Sequence, residues 1–128
     1  MSPEKIEGIM GLTHVEMEIA NPAKPRARVR ERFLVDSGAI YTVAPGVVLR
    51  RLGIKPHSKR TFTLANGEVI ERDVGDAVFH YDKHHAASPV IFGKRGDSNL
   101  VGMVTLESLG LILDPIRREL KPLPMLLA

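Results

Sequence analysis

The amino-acid sequence predicts an all-β fold with one or two short helices. Apolar and polar residues alternate over residues 12–19, with one residue out of phase, and the next strand-like run, residues 28–35, has an arginine at every second position from 28 to 32. This is the period of a strand with one buried face. A turn signal, Asn66-Gly67, separates two further strand-like runs at residues 61–65 and 68–74. Helical spacing is confined to two short segments, so strands are expected to supply most of the structure.

Prolines, glycines and changes of period predict the remaining elements. Pro22 and Pro25 mark a turn, so the first two strands are expected to pair as a hairpin. Pro45 and Gly53 are suited to open and end one short helix, and residues 103–109 have the spacing of a second. Two further strands, residues 77–81 and 88–92, are expected to pair across a polar loop. The remaining predicted strands are residues 39–43, 111–115, which include the turn that ends the strand, and 117–120.

Length and composition indicate one globular domain, residues 1–128, with its core at about 12–120. A chain of this size buries roughly two-thirds of its unfolded surface, and its 44% apolar content is typical of a globular chain. The absence of cysteine excludes disulfides and thiolate zinc sites. No signal core follows the first residues and no apolar run approaches membrane-spanning length. We therefore expect a cytoplasmic protein with no membrane partner.

Two clusters of polar residues allow both a functional and a structural interpretation. Basic residues over 24–32 form either a patch for phosphate or an acidic partner, or an exposed strand face. The alternation of Arg28, Arg30 and Arg32 favours the strand face, so nucleic acid is not the expected partner. Residues 80–85 contain three histidines and an aspartate, which are metal-ligand types. The intervening lysine and the expected loop position argue against a metal site.

The segment Asp36-Ser37-Gly38-Ala39 is the strongest candidate for chemistry. It follows three apolar residues, so Asp36 ends a buried strand, where a carboxylate is costly unless it is hydrogen-bonded or paired. The small residues behind it allow a sharp turn and a close approach of backbone. Ser37 lacks the Gly-x-Ser-x-Gly context of a nucleophile elbow. No dinucleotide or Walker fingerprint is present, so no cofactor is expected.

The order of three motifs resembles the retropepsin-like (clan AA) aspartic proteases of the small prokaryotic type. The first motif, Asp36-Ser37-Gly38-Ala39, is similar to the active-site triplet and its neighbour in that family. The hairpin turn at Ala65-Asn66-Gly67 lies where the family has its flap. Leu100-Val101-Gly102, followed by a helical segment, is similar to the second signature of the family. The resemblance covers roughly residues 12–120.

The resemblance implies an acid protease barrel that is one subunit of a two-fold dimer. Two carboxylates close together cannot both ionise, so in this family they share one proton and activate a water. This chain has one such motif, so Asp36 would need its symmetry mate in a homodimer. By the same resemblance, Ser37, Gly38 and Ala39 support the carboxylates, and Leu100, Val101 and Gly102 pack behind them. The flap tip, Ala65, Asn66 and Gly67, would cover an extended peptide or protein substrate.

The chain departs from the viral relatives at three places. The flap tip lacks their glycine-rich run, and Ile40-Tyr41 is bulkier than the corresponding pair. The termini have no recognisable counterpart of the intersubunit sheet. Besides an aspartic endopeptidase without metal, two other functions remain open: a non-catalytic barrel-fold module for peptide binding or assembly, and a nucleic-acid-associated protein that uses residues 26–32.

Overall fold

The computed structural model describes residues 13–36 and 38–124, so Leu12 and Ser37 lie outside the described residues. Over this part the chain is mostly β-sheet with two short helices, which confirms the predicted all-β class. The elements in chain order are β1 (Thr13–Asn21), β2 (Lys24–Val35), β3 (Thr42–Pro45), α1 (Gly46–Arg51), β4 (Ser58–Thr63), β5 (Val69–Tyr81), β6 (His84–Gly93), β7 (Leu100–Val101), α2 (Met103–Leu109), β8 (Leu111–Asp114) and β9 (Glu119–Pro122).

Seven strands form one sheet in the order β1-β2-β7-β3-β6-β5-β4. β1 and β2 pair as the predicted antiparallel hairpin, and β5 and β6 pair in the same way. β1 also pairs with β5 over three residues, so the pairings run in a closed circuit. Strands β8 and β9 form a separate two-stranded sheet.

The short strand β7 brings distant parts of the chain together. It lies between β2 and β3, parallel to β2 through Leu34↔Leu100 and Val35↔Val101, and antiparallel to β3. Parallel neighbours require a long crossover connection, which here consists of all the elements from β3 to β6. The ends of β2 and β7 are therefore adjacent, and the residues that follow them meet at one edge of the sheet.

The core lies among β1, β2, β5, β6 and the two helices. Phe33 and Phe79 are fully buried and pack edge to face, with ring centroids 6.3 Å apart. Leu49 from α1 and Leu106 from α2 are also buried in this cluster. Each helix thus covers the sheet with an apolar side, as the spacing of its residues predicts.

Several predicted boundaries differ from the structure. The runs 68–74 and 77–81, predicted as two strands, form the single strand β5 from Val69 onward, and β2 begins at Lys24, so Pro25 lies in the strand and not in the turn. Residues 39–41 are not a strand, because the carbonyls of Ala39 and Ile40 accept hydrogen bonds from the start of α2. Strands β5 and β6 continue to a two-residue turn instead of a polar loop, and Asp82 adopts a positive φ of 53° there. The last strand begins at Glu119, because the Asp114 carboxylate accepts the N–H groups of Ile116 and Arg117 and holds the preceding residues in a turn.

None of the helices among residues 13–36 and 38–124 has the length and apolar character that crossing a membrane requires.

Candidate active site

The loop after β2 holds Asp36 through its backbone and its carboxylate. The Asp36 N–H donates to the carbonyl of Val101 at 3.3 Å, and the Asp36 carbonyl accepts the Ala39 N–H at 3.1 Å. The Asp36 Oδ1 accepts the N–H of Gly38 at 2.9 Å, which is the Asx-turn arrangement. Asp36 is half-buried and Gly38 is exposed. One oxygen of the carboxylate is thus fixed by the loop itself.

The start of α2 is bonded to the same loop. The N–H groups of Met103 and Val104 donate to the carbonyls of Ala39 and Ile40 at 2.9 and 3.0 Å. First-turn N–H groups have no partner within a helix, and Gly102 offers no side-chain cap. The loop carbonyls supply that cap, so the Asp36 loop and α2 hold each other in place.

Gly102 is where the two backbones are closest. A Cβ built there would lie 2.6 Å from the carbonyl oxygen of Ile40 and 2.6 Å from the carbonyl carbon of Tyr41. The backbone of Gly102 is extended, with φ −95° and ψ 175°, so this position requires glycine for space and not for its conformation. Of the predicted packing residues, Val101 and Gly102 are buried, whereas Leu100 is only half-buried.

A chain of buried hydroxyls lies under the loop. Thr42 Oγ1 accepts the N–H of Gly102 at 3.0 Å and also bonds Thr105 Oγ1. Thr105 Oγ1 bonds Ser88 Oγ at 2.8 Å, and Ser88 donates to the carbonyl of Pro89 at 3.2 Å. Because Ser88 uses its proton on the carbonyl, Thr105 must donate to Ser88 and Thr42 to Thr105. Each hydroxyl therefore donates once, and β3, β6 and α2 are joined beneath the loop.

We expect Thr105→Val to lower the free energy of unfolding by about 1–3 kcal/mol, because it leaves the buried Thr42 hydroxyl without an acceptor. The change keeps the shape of the side chain, so cavity formation contributes little. Urea denaturation measures the effect. The double variant Thr42→Val/Thr105→Val should lose less than the sum of the single losses, because the residues share one chain of bonds. Strict additivity would contradict this account.

The hairpin of β4 and β5 turns at residues 64–68. The Gly67 N–H donates to the Leu64 carbonyl at 2.9 Å, and the Leu64 N–H donates to the Glu68 carbonyl at 2.8 Å. Gly67 has a φ of +86°, whereas Asn66 does not have a positive φ. The hairpin turn therefore lies at Ala65-Asn66-Gly67, as the sequence predicts. Ala65 and Asn66 are central, and Gly67 is the left-handed residue that rejoins the strand.

An apolar groove of about 570 Å³ lies between this hairpin and the Asp36 loop. Gly38, Ala39 and Leu100 line it from the loop and β7. The hairpin contributes Phe62, Leu64, Ile70 and Arg72, and the segment before β7 contributes residues 96–98. We call this the apolar groove. It is an open, preformed cleft within the size range of ligand sites.

The structure brings only some of the predicted site residues to this groove. Gly38, Ala39 and Leu100 line it, and Asp36 lies in the adjoining loop. The turn residues Ala65, Asn66 and Gly67 are exposed and do not line it. The hairpin residues that do line it are Phe62, Leu64, Ile70 and Arg72. No motif in the sequence marks them, although Phe62, Ile70 and Arg72 share one face of the two strands.

An ion pair stabilises one wall of the apolar groove. The Arg72 guanidinium donates to both oxygens of Asp97, at 2.8 and 3.1 Å, and its third nitrogen donates to the Glu71 carbonyl at 2.9 Å. The Arg72 bond lowers the pKa of the Asp97 carboxyl, and the Lys94 N–H contributes in the same direction. The pair joins β5 to the segment before β7, and both side chains are mostly shielded from solvent.

We expect Asp97→Asn to cost about 2 kcal/mol of stability at pH 7, the range of a charge-assisted hydrogen bond. Because the folded-state pKa of Asp97 is depressed, its contribution is complete above the unfolded value and is lost as pH falls through the folded one. The difference between wild type and variant should therefore shrink below about pH 4. Urea denaturation at pH 7 and at pH 3 checks this, and an equal difference at both would contradict it.

The histidine cluster lies at the far ends of β5 and β6. His80 and His85 stack with centroids 5.6 Å apart. Burial, helped by Arg28 and His85, lowers the pKa of His80. Within residues 13–36 and 38–124, the structure places no three His, Cys, Asp or Glu side chains where they could hold a metal ion together.

A scan against protein-family models finds no match for this chain, and a search of curated proteins finds no significant relative.

Proposed function

We propose that this chain is one subunit of a homodimeric aspartic endopeptidase with a retropepsin-like acid protease barrel. The closed circuit of strand pairings supports the barrel. The joining of the Asp36 loop to Gly102 and α2 supports the likeness to the family, because both motifs of the resemblance meet at one place. The two motifs, residues 36–39 and 100–102, are far apart in the sequence, so their contact is an observation independent of the sequence resemblance.

The observation that carries the proposal is the apolar groove beside the Asp36 loop. It is bounded by the hairpin on one side and by residues 38–41 on the other, so it has the shape to hold an extended chain. Apolar side chains of a peptide would pack on Phe62, Leu64 and Ile70, and backbone groups would face the loop. The scissile bond would then lie near Asp36.

The proposed reaction needs two copies of Asp36. Across a two-fold axis, the ionised carboxylate takes a proton from water while the protonated one donates to the scissile carbonyl. Water adds to the carbonyl carbon, and the tetrahedral intermediate collapses as the amine leaves with a proton. The Gly38 N–H bond to Asp36 Oδ1 leaves the other oxygen of the carboxylate available for this chemistry.

A peptide-binding module without turnover is the second candidate. It is favoured by one observation: Asp36 is not among the residues that line the apolar groove. Binding in this groove would therefore not depend on the carboxylate. Under this alternative, replacement of Asp36 would leave peptide affinity and every biological effect of the protein unchanged.

Peptide cleavage with a transition-state mimic tests the proposal. A statine-containing peptide carries a tetrahedral hydroxyl in place of the scissile carbonyl, so it should bind more tightly than the substrate and inhibit cleavage. Mass spectrometry of a peptide library incubated with the protein gives the cleavage sites. Cleavage that is insensitive to the statine peptide would contradict the aspartic mechanism.

A further inference from the structure

A second groove lies on the other face of the β4–β5 hairpin. It has a volume of about 410 Å³ and lies between α1, the two hairpin strands and the segment after β6. Lys59 pairs with Asp73 in the strand register, on the face opposite to Phe62 and Ile70. We call this the basic groove, because five basic residues and two acidic residues line it.

Its charges are only partly neutralised. Arg50 donates to Asp73 at 2.8 Å and lies 4.9 Å from the centroid of the Phe92 ring, which holds the guanidinium in place. Lys59 lies 3.9 Å from Glu71. Among residues 13–36 and 38–124, the side-chain cations of Lys94 and Arg95 form no ion pair within 4.0 Å, and both residues are exposed. These two cations are available to a ligand.

The two grooves meet at Arg72. This residue lines both of them, with its guanidinium committed to Asp97. The segment between β6 and β7 also passes from one to the other, since Lys94 and Arg95 line the basic groove and Gly96 and Asp97 line the apolar groove. A chain that occupies the apolar groove and continues past Arg72 therefore reaches positive charge.

We propose that the basic groove binds acidic residues of the same peptide whose apolar residues occupy the apolar groove. This inference rests on one part of the proposed function, the binding of a peptide in the apolar groove, and does not require cleavage. The preferred substrate is then a protein segment in which a run of Asp or Glu flanks an apolar stretch. Such charge complementarity selects among substrates and speeds their association.

Two labelled probes test the inference in the chain of residues 1–128. The first is hexaglutamate, whose binding is followed by fluorescence anisotropy at low salt. The double variant Lys94→Glu/Arg95→Glu should bind it roughly tenfold more weakly than wild type, as expected for reversal of two exposed charges. The neutral pair Lys94→Gln/Arg95→Gln should show a smaller loss in the same direction. Lys24→Glu/Lys83→Glu, which reverses two exposed lysines outside the basic groove, is the matched control.

The second probe is a pair of peptides with one apolar core, flanked on either side by three Glu or by three Gln. Wild-type protein should bind the Glu peptides more tightly, and added salt should remove the difference. The inference is overturned if the Glu and Gln peptides bind equally, or if Lys94→Glu/Arg95→Glu behaves like Lys24→Glu/Lys83→Glu. Tighter binding of single-stranded RNA, lost in the same variant, would also overturn it in favour of nucleic acid.

The two proposals fail separately. Binding of both probes is measured without turnover, so it is informative whether or not the protein cleaves peptides. Charge-dependent binding without cleavage would refute the endopeptidase and support the basic groove of a peptide-binding module. Cleavage that is indifferent to flanking charge would support the endopeptidase and refute the basic groove.

Discussion

Asp36→Asn is expected to reduce peptide cleavage by about 10³-fold or more, because the amide can neither accept the proton of the water nor donate as an acid. The fold should be unaffected. The amide oxygen of Asn can still accept the Gly38 N–H, which preserves the turn that Asp36 Oδ1 closes in the wild type. The measurement is kcat/KM on a peptide identified by library cleavage, with circular dichroism as the check on folding.

Asp82→Asn is the matched control for this variant. It makes the same chemical change at an exposed turn, where Asn tolerates the positive φ, and it should retain full activity. Equal residual cleavage in Asp36→Asn and Asp82→Asn would show that Asp36 has no catalytic role.

Mixing wild-type protein with Asp36→Asn tests whether the active site forms between two copies of the chain. If active sites form between two copies, equal amounts of wild type and Asp36→Asn associate at random. About half of the wild-type chains then pair with an inactive one. Activity per wild-type chain should fall to about half after the subunits exchange. An unchanged activity per wild-type chain would indicate that each chain carries a complete site.

Gly102→Ala should be the most destabilising single change in the region of the site, with a loss of about 3 kcal/mol or more. The added Cβ would lie 2.6 Å from two backbone atoms of Ile40 and Tyr41. These atoms cannot move without breaking the bonds from Met103 and Val104 that hold the Asp36 loop. Urea denaturation gives the stability, and cleavage should fall together with it.

Gly67→Ala separates the steric cost from the conformational one. No atom lies within 4 Å of a Cβ built at Gly67, but its φ is +86°. The only cost of the alanine is then its left-handed backbone conformation, which should lower the free energy of unfolding by about 1–2 kcal/mol. A loss at Gly102 no larger than that at Gly67 would mean that the loop and α2 can separate easily.

Local patterns were sufficient for most of the secondary structure. The alternation in β1 and the prolines at 22 and 25 predict a hairpin, because both signals lie within a few residues of each other. The helix over residues 103–109 was predicted from its spacing and from Gly110, which ends it with a φ of 73°. The motif at residues 36–39 was recognised from its residue types alone.

These local patterns do not predict contacts between residues that are far apart in the sequence. The hydroxyls of Thr42, Ser88 and Thr105 come from three elements, and nothing in the sequence around any one of them indicates a partner. The same holds for Arg72 and Asp97, which pair across 25 residues. Both features depend on where β7 lies in the sheet, and a two-residue strand has no periodicity from which to predict it.

The contact between Gly102 and Thr42 affects when the candidate site can form during synthesis and folding of the chain. These residues are 60 apart in sequence, so closing the contact comes at the end of a large loop and after much of the chain has been made. A growing chain that has not yet reached β7 contains Asp36 but lacks the Val101 carbonyl and the N–H groups of Met103 and Val104 that bond its loop. The contacts around the candidate site therefore form only after β7 and the start of α2 have been made.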